Sequence, residues 1–365
     1  TVDDALALRG LVEDGAGRAV VLGAGFIGVE AAEALAHAGL AVTLVELAPH
    51  VLPPLEPELA WYATHALRRL GIEVRTGVAA EAIEPGDRRD VVVLSDDTRV
   101  EADLVVLSVG VRPDTAVFEA AGVRCARGAI AVDEHGRTSQ PGIWAVGDAV
   151  TSVDAVTGLL RPVPLAGPAN RAGRLVADDI VRPGSAAPIP PALGTAVVRI
   201  GDLTAAMTGA TKAALVAAGI DHHTLHLHPG QHAGYFPGVG QLHLVVHVAT
   251  DDGRVLGAQV VGEDGADKRI DVLATAIRAG MTAADLVALD LAYAPPYGSA
   301  KDPVTMVGFL GTNVVDGSLR LWYPEDVEEV VGTALVLDVR TADEFARGHL
   351  AGALNVRNTQ MRGRL

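Results

Sequence analysis

Cysteine is nearly missing from this chain of 365 residues, where Cys125 stands alone. A single thiol cannot close an internal structural disulfide, and such usage suits a reducing cytoplasm. Lysine is almost as scarce: Lys212, Lys268 and Lys301 are the lysines among 29 basic side chains, a bias that codon usage explains most simply. Net positive charge is lacking too. The formal charge is -16 with no Lys/Arg block, which excludes nucleic acid as a partner, because backbone binding needs a basic face to displace counterions. No apolar run reaches the ~18 residues of a membrane span; Glu33, His37 and Glu46 interrupt the most apolar region, so no membrane partner is expected. The start at Thr1 lacks a charged-then-apolar leader, and the expected location is cytoplasmic.

What is there is globular. An apolar fraction of 49% with 20% charged residues, over a length sufficient for two or three domains, describes a water-soluble folded protein. VDDALALRGLVED (2–14) has helical spacing. RAVVLGAG then reads as an apolar strand breaking at glycine, FIGVEAAEALAHAG as a helix ending at Gly39, and LAVTLVE as a second buried strand. Strand, Gly-rich turn, helix, strand is a βαβ unit with a right-handed crossover. A helix around ELAWYATHALRRLG, the strand IEVRTG, the antiparallel-looking DVVVLSDDTRVEA and the strand DLVVLSVG, closing at Gly110, complete a nucleotide-binding module over 15–112. Short segments follow to about 190, ending in the linker-like RPGSAAPIPP. Residues 194–311 alternate strand-like stretches with a helical pair, an α+β pattern with an antiparallel sheet backed by helices. The chain closes on VLDVRTADEFARGHLAGALNV, a strand, a turn and a helix.

Gly23, Gly25 and Gly28 form G-x-G-x-x-G directly after a strand and at the opening of a helix. The first glycine permits the tight turn, the second admits a pyrophosphate to the backbone, and the third lets helix and strand approach. The helix N-terminus supplies free N–H groups and a dipole favouring anions. Phe26, Ile27 and Gly110 are further candidate nucleotide contacts. Glu46, at the tip of the second strand, is placed to accept hydrogen bonds from a ribose diol and to repel a 2′-phosphate. No arginine follows in LAPHV, so NADH is expected over NADPH.

Other residues leave two readings open. GIWAVGDAV reads as a buried strand ending at Gly147 and Asp148, where Asp148 is either a helix N-cap or a ligand contact at the strand's carboxyl end. In AYAPPYGSAKDP, a rigid Pro/Gly loop, Tyr293 and Tyr297 could donate to a thiolate or pack at a subunit interface, and Lys301 is a point charge suited to an anion. His222, His223, His226, His228, His232, His243 and His247 could seed a metal site, but no acidic or Cys ligand interleaves them. Solvated strand faces are expected, and no metal. Cys125 has no flanking His or Lys to lower its pKa and is expected to be inert.

The series LGAGFIGVE, SVGVRPD, GIWAVGDAV, PLAGPANRAGR and YAPPYGSAKDPV resembles the pyridine nucleotide-disulfide oxidoreductases over about residues 1–312. HAGYFPG and AYAPPYGSAKDP resemble the coenzyme A-disulfide reductase and NADH oxidase branch, and the tail resembles the opening of a rhodanese domain, with Asp338, Arg340, Glu344 and His349 on its pattern. The resemblance implies an α/β fold with a Rossmann-type NAD domain (15–112) inserted in a partial FAD domain (1–14 and 113–190). An α+β dimerisation domain (191–312), a linker (313–330) and a truncated rhodanese-like segment (331–365) would follow. The family carries a second fingerprint and a nucleophilic cysteine ahead of the NAD domain, and neither is in this sequence, which therefore reads as truncated at both ends and is expected to hold FAD poorly.

The resemblance further implies cofactors FAD and NADH. Thr138, Gly147 and Asp148 would lie along FAD, with Thr138 to Asp148 as its strand, and Pro164, Leu165 and Ala166 would lie near the flavin. Tyr235 and Tyr293, with Tyr297, would serve catalysis across a homodimer, and Asn170 and Lys301 would contact coenzyme A. The implied activity carries hydride from NADH to FAD and on to a cysteine-centred disulfide or persulfide, of coenzyme A above all. An NADH oxidase or peroxidase, and a non-catalytic nucleotide-binding and dimerisation fragment, are the alternatives. The tail, about 35 residues, is expected to be too short to bury a core alone.

Overall fold

A computed structural model describes residues 2–363, in two compact units, Thr1–Val315 and Asp316–Leu365. The first opens with α1 (Val2–Glu13), none of whose residues is buried. β1 (Arg18–Leu22), β2 (Ala41–Glu46), β3 (Glu73–Thr76) and β7 (Leu104–Leu107) then form a parallel sheet in the order β3-β2-β1-β7. The crossovers are α2 (Phe26–His37) and α3 (Pro57–Arg69). A strand turns successive side chains to opposite faces. Val21 and Leu44 accordingly pack under α2 and α3 with Val29, Leu59 and Ala63. Val20, Leu22 and Val45 meet Val92, Leu94 and Ala102 of a second, antiparallel sheet. That sheet consists of β4 (Ala80–Glu84), β5 (Asp90–Leu94) and β6 (Arg99–Ala102). Both faces being covered explains why β1 and β2 are continuously apolar rather than alternating.

The middle of the chain carries α4 (Ala116–Ala120), the hairpin of β8 (Cys125–Ala126) and β9 (Ala129–Ile130), the pair β10 (Thr151–Val153) and β11 (Leu160–Pro162), and α5 (Ala166–Val181). The buried strand expected over GIWAVGDAV does not form. Residues 138–146 are turn and extended chain with Ile143 and Val146 exposed, and Gly147–Ala149 is a 3-10 turn. An extended apolar segment becomes a strand only beside a continuous partner, and this one has two isolated bridges, Arg137–Trp144 and Ile130–Val150, in place of a ladder. The Pro-rich exit is no loose tether, since Ile189 N–H donates to Glu134 O at 2.7 Å and Ala192 N–H to Val153 O at 2.8 Å.

A five-stranded antiparallel sheet follows, in the order β12-β13-β16-β15-β14. Its strands are β12 (Ala196–Ile200), β13 (Leu203–Gly209), β14 (His222–Leu227), β15 (His243–Ala249) and β16 (Val255–Gly262). The helices of this region are α6 (Lys212–Ala218), α7 (Ala266–Arg278), α8 (Ala283–Val287) and α9 (Pro303–Val315). Every residue of β16 is buried. Val198, Ile200, Leu203, Val245 and Val261 of this sheet share one apolar cluster with α2, α3 and β1, so the parallel and antiparallel layers are welded through a common core.

The second unit holds α10 (Val327–Thr333), α11 (Ala342–Arg347) and the parallel pair β17 (Leu337–Asp338) and β18 (Leu354–Asn355). Among its described residues Val356 alone is buried. Among the described residues no helix is long and apolar enough to cross a membrane.

Candidate functional site

The glycine turn is the best-formed part of the site. Gly23 has φ +96, a left-handed conformation open to glycine, and a Cβ there would lie 2.5 Å from Ser108 O. A Cβ on Gly28 would overlap the carbonyl oxygen of Gly23, so helix and strand meet there with no room to spare. Gly25 is the opposite: no atom lies within 4 Å of a Cβ built on it. It is the N-cap of α2, with no side chain capping the first turn. The arrangement therefore presents free helix N–H groups beside open space, the surroundings a phosphate needs. Ile27 and Gly110 are exposed and Phe26 half-buried around it.

Glu46 sits at the carboxyl tip of β2 and is also part of the turn. Its Oε2 accepts from Ala24 N–H at 2.6 Å and its Oε1 from Ala48 N–H at 2.8 Å. Each oxygen keeps a lone pair free.

Two loops far apart in sequence are joined as one surface. The hydroxyls of Tyr235 and Tyr293 are 2.9 Å apart, and Ala233 N–H donates to Gly298 O at 2.8 Å. The bond to Tyr235 keeps the Tyr293 phenol protonated to higher pH than usual. All three tyrosines are exposed, Tyr235 by 77%, as is Lys301. Below them Arg269, 1% exposed, donates to Asp302 Oδ2 at 2.9 Å and to Gln231 O at 2.7 Å. Asp302 Oδ1 in turn accepts from Val304 N–H at the start of α9.

Gly147 has φ +78 and packs its α-carbon side against Ala169 of α5, while Asp148 is exposed. α5 begins after Leu165 with no side-chain cap. Pro164, Ala166 and Asn170 are exposed and Leu165 half-buried. Thr138 is half-buried and folds back on its own turn, Oγ1 donating to Gln140 O at 3.2 Å. A cavity of about 510 Å³ opens beside Gly147, lined by Val132, Val150, Ala172 and Ile189 among others. Asp179, fully buried on α5, accepts from Arg137 Nε (2.8 Å) and Nη2 (2.5 Å) and from Trp144 Nε1 (3.0 Å), which fixes the segment leading to Gly147. Cys125 is half-buried, and desolvation with the nearby Glu119 carboxylate pushes its thiol pKa up, the wrong direction for a nucleophile.

The histidines correct the expectation of solvated strand faces. His232, in the loop between β14 and β15, and His247, on β15, are both buried. Acidic partners arrive from the N-terminal end of α3: Oε1 of Glu56, its N-cap, lies 3.3 Å from His247 Nε2, and Glu58 Oε1 lies 2.7 Å from His226 Nε2. His243 stacks on Tyr62 and shares a 2.8 Å contact between Nδ1 atoms with His228. Desolvation and His228 lower its pKa to about 4. Among the described residues no three His, Cys, Asp or Glu side chains converge as metal ligands. Glu56, Gln259, Arg269 and Asp179 escaped the sequence reading; a charged or amide side chain inside an otherwise apolar segment was the available signal.

Comparison with known proteins decides the family. The pyridine nucleotide-disulphide oxidoreductase family matches residues 1–167, its dimerisation domain residues 195–303, and a rhodanese-like domain residues 323–365. An NADH oxidase of Methanocaldococcus jannaschii is 33% identical over 308 residues, covering 84% of this chain and 68% of the relative. The chain belongs to the pyridine nucleotide-disulphide oxidoreductase family. A coenzyme A disulfide reductase of Staphylococcus epidermidis is 32% identical over 293 residues, 80% of this chain and 65% of the relative. Among solved oxidoreductases, the reduced CoADR-RHD of Bacillus anthracis superposes with a TM-score of 0.91 at 38% identity, over 96% of this chain and 63% of that one. An NAD-dependent persulfide reductase from A. fulgidus gives 0.90 at 36% identity, over 100% of this chain and 66% of that one. The chain thus spans about two thirds of the length of these family members, and the expected α/β architecture with a dimerisation domain and a rhodanese-like segment is the fold observed.

Proposed function

We propose that the protein is a flavin-dependent NADH oxidoreductase of the disulfide-reductase type, whose acceptor is a cysteine-centred disulfide or persulfide of coenzyme A. The observation that carries the reading is the tyrosine surface: two loops 58 residues apart meet through the Tyr235–Tyr293 hydroxyl pair, and the exposed Lys301 follows Tyr293 in the same loop. In the pair one phenol donates to the other, which leaves one O–H to donate to a thiolate, and a lysine can pair with an anionic substrate.

The residues fit the nucleotides they would hold. Gly23, Gly25, Phe26, Ile27, Gly28 and Gly110 would surround NADH, with open space at Gly25 and an uncapped helix for the pyrophosphate. Glu46 would accept from the ribose and disfavour NADPH. Thr138, Gly147, Asp148, Pro164, Leu165 and Ala166 would face FAD, which when bound takes a hydride from NADH and yields two electrons to the acceptor. Tyr235, Tyr293 and Tyr297 would hold a proton near the acceptor sulfur, and Asn170 and Lys301 would bind coenzyme A. Cys125 does not fit as the nucleophile, its thiol pKa being raised. Exposure of the tyrosine surface supports a homodimer in which a second copy covers it, and the domains would divide near 15, 113, 191, 313 and 331.

The test uses the protein extended to the length of its relatives. NADH consumption should depend on coenzyme A disulfide or coenzyme A persulfide, and fall at least about tenfold when both tyrosines of the pair become phenylalanine. NADH consumption with dioxygen alone, unaffected by either sulfur acceptor, would establish the oxidase instead.

A further inference from the structure

Inside the first unit, a line of hydrogen bonds runs from the glycine turn to the middle of the antiparallel sheet. Ala24 N–H donates to Glu46, and Ala24 O accepts from Leu52 N–H at 2.8 Å. Leu52 is fully buried and has φ +48, a left-handed conformation that a branched side chain adopts only when its surroundings hold it there. Two residues on, Pro54 O accepts from Gln259 Nε2 at 2.9 Å, and Glu56 N–H donates to Gln259 Oε1 at 2.6 Å. One amide of β16 therefore reads a carbonyl and an N–H of the same loop, as a neighbouring strand would. Glu56 Oε1 also accepts from Lys212 N–H at 2.8 Å and contacts His247 Nε2, whose Nδ1 lies 3.1 Å from Thr224 Oγ1.

Gln259, His247 and Thr224 are 2%, 0% and 6% exposed. Polar side chains this deep cost stability unless every atom is matched, and an apolar core of the same shape would do as well for adhesion alone. What the amide and imidazole add is directional contact: they tie Pro54 and Glu56 to the antiparallel sheet, and Leu52 N–H ties the same loop to the Ala24 peptide.

We propose that Gln259, Glu56 and His247 are positioning residues for the nucleotide, fixing the glycine turn from the antiparallel sheet through the 52–56 loop. The inference rests on the proposed NADH site. In the apolar core around them, Val198 has no bond to this loop and serves as the control.

The experiment measures NADH binding by fluorescence, and thermal unfolding, on the same preparations of the chain. Gln259→Met keeps the volume and removes both bonds. It should weaken NADH binding about three- to tenfold, the range expected for a residue coupled to a site it does not touch. Val198→Ala should lower the unfolding temperature and leave the binding constant unchanged. If Gln259→Met does not fold, Glu56→Ala, which removes the contacts to Lys212 N–H and His247, serves in its place and should weaken binding at least about twofold. Unchanged binding in the folded Gln259 or Glu56 variant would overturn the proposal, as would weakening by Val198→Ala in proportion to lost stability. No saturable binding by the unaltered chain would remove the nucleotide reading, and this inference with it.

Discussion

The three glycines of the turn differ in what a methyl group would do, and that difference separates folding from binding. Gly28→Ala drives a carbon into the Gly23 carbonyl and to 2.6 Å from Ser108 Oγ. Overpacking of this kind should cost about 3 kcal/mol, read from a urea midpoint. Gly25→Ala meets nothing in the protein and has no positive φ to violate. Its stability should stay within about 0.5 kcal/mol of the parent, while NADH affinity falls at least about tenfold because the added carbon occupies the pyrophosphate approach. The glycine spacing was legible in sequence because it is local, its meaning fixed by the strand before and the helix after. The burial of His247 was not. Alternation along HLVVHVA tells which residues share a face, but not that Glu56, the N-cap of α3 and 191 residues away in the chain, contacts His247.

Strands and helices were legible where pattern and packing agree, as in β1, α2 and β2. Among the elements that went unread, two show the physical reasons. LTAAMTG, which becomes β13, is rich in small residues and lacks the apolar alternation that marks a strand; it is held by ladders on both sides. PVTMVGFLGTNVV becomes α9 despite β-branched residues and two glycines. Those glycines allow contact with α8: a Cβ on Gly308 would lie 2.9 Å from Ala283 O, and one on Gly311 2.6 Å from Ala283 Cβ. The reverse error, a strand read over GIWAVGDAV, came from judging an apolar run without its neighbour. At this scale the loop bearing Tyr293 and Tyr297 hangs on Arg269. Arg269→Met leaves Asp302 buried without its cation and should cost about 3–5 kcal/mol in denaturant unfolding. Combining it with Asp302→Asn, which can still accept from Val304 N–H, should recover part of that loss.

Across the whole molecule, the apolar cluster that joins α2 and α3 to the antiparallel sheet sets the unit of cooperativity. Chains of this length often unfold in stages. Here Leu59, Ala63 and Leu67 of α3 lie in the same cluster as Val198, Val245 and Val261, so neither layer can loosen without uncovering the other. Calorimetry should therefore find one principal transition for residues 2–315, without separate melting of the nucleotide-binding and antiparallel layers. Two well-resolved transitions of comparable enthalpy from that region would contradict it. Fold class and the glycine turn could be anticipated from sequence, since each rests on a motif; the pairing of Tyr235 with Tyr293 within one chain and the cross-layer polar contacts could not, since no motif encodes them.

The common core also bears on how such a protein can be taken apart. Similarity to the family falls into pieces, 1–167 and 195–303, and the gap between them invites a cut. Severing the chain there would leave one product with the outer side of α3 stripped bare and the other with an apolar sheet face open to water. Both would be prone to self-association, however faithfully each folded. A nucleotide-binding segment lifted from this protein into another host would have to bring a substitute lid for α3, and with it something to do the work of the Gln259 amide.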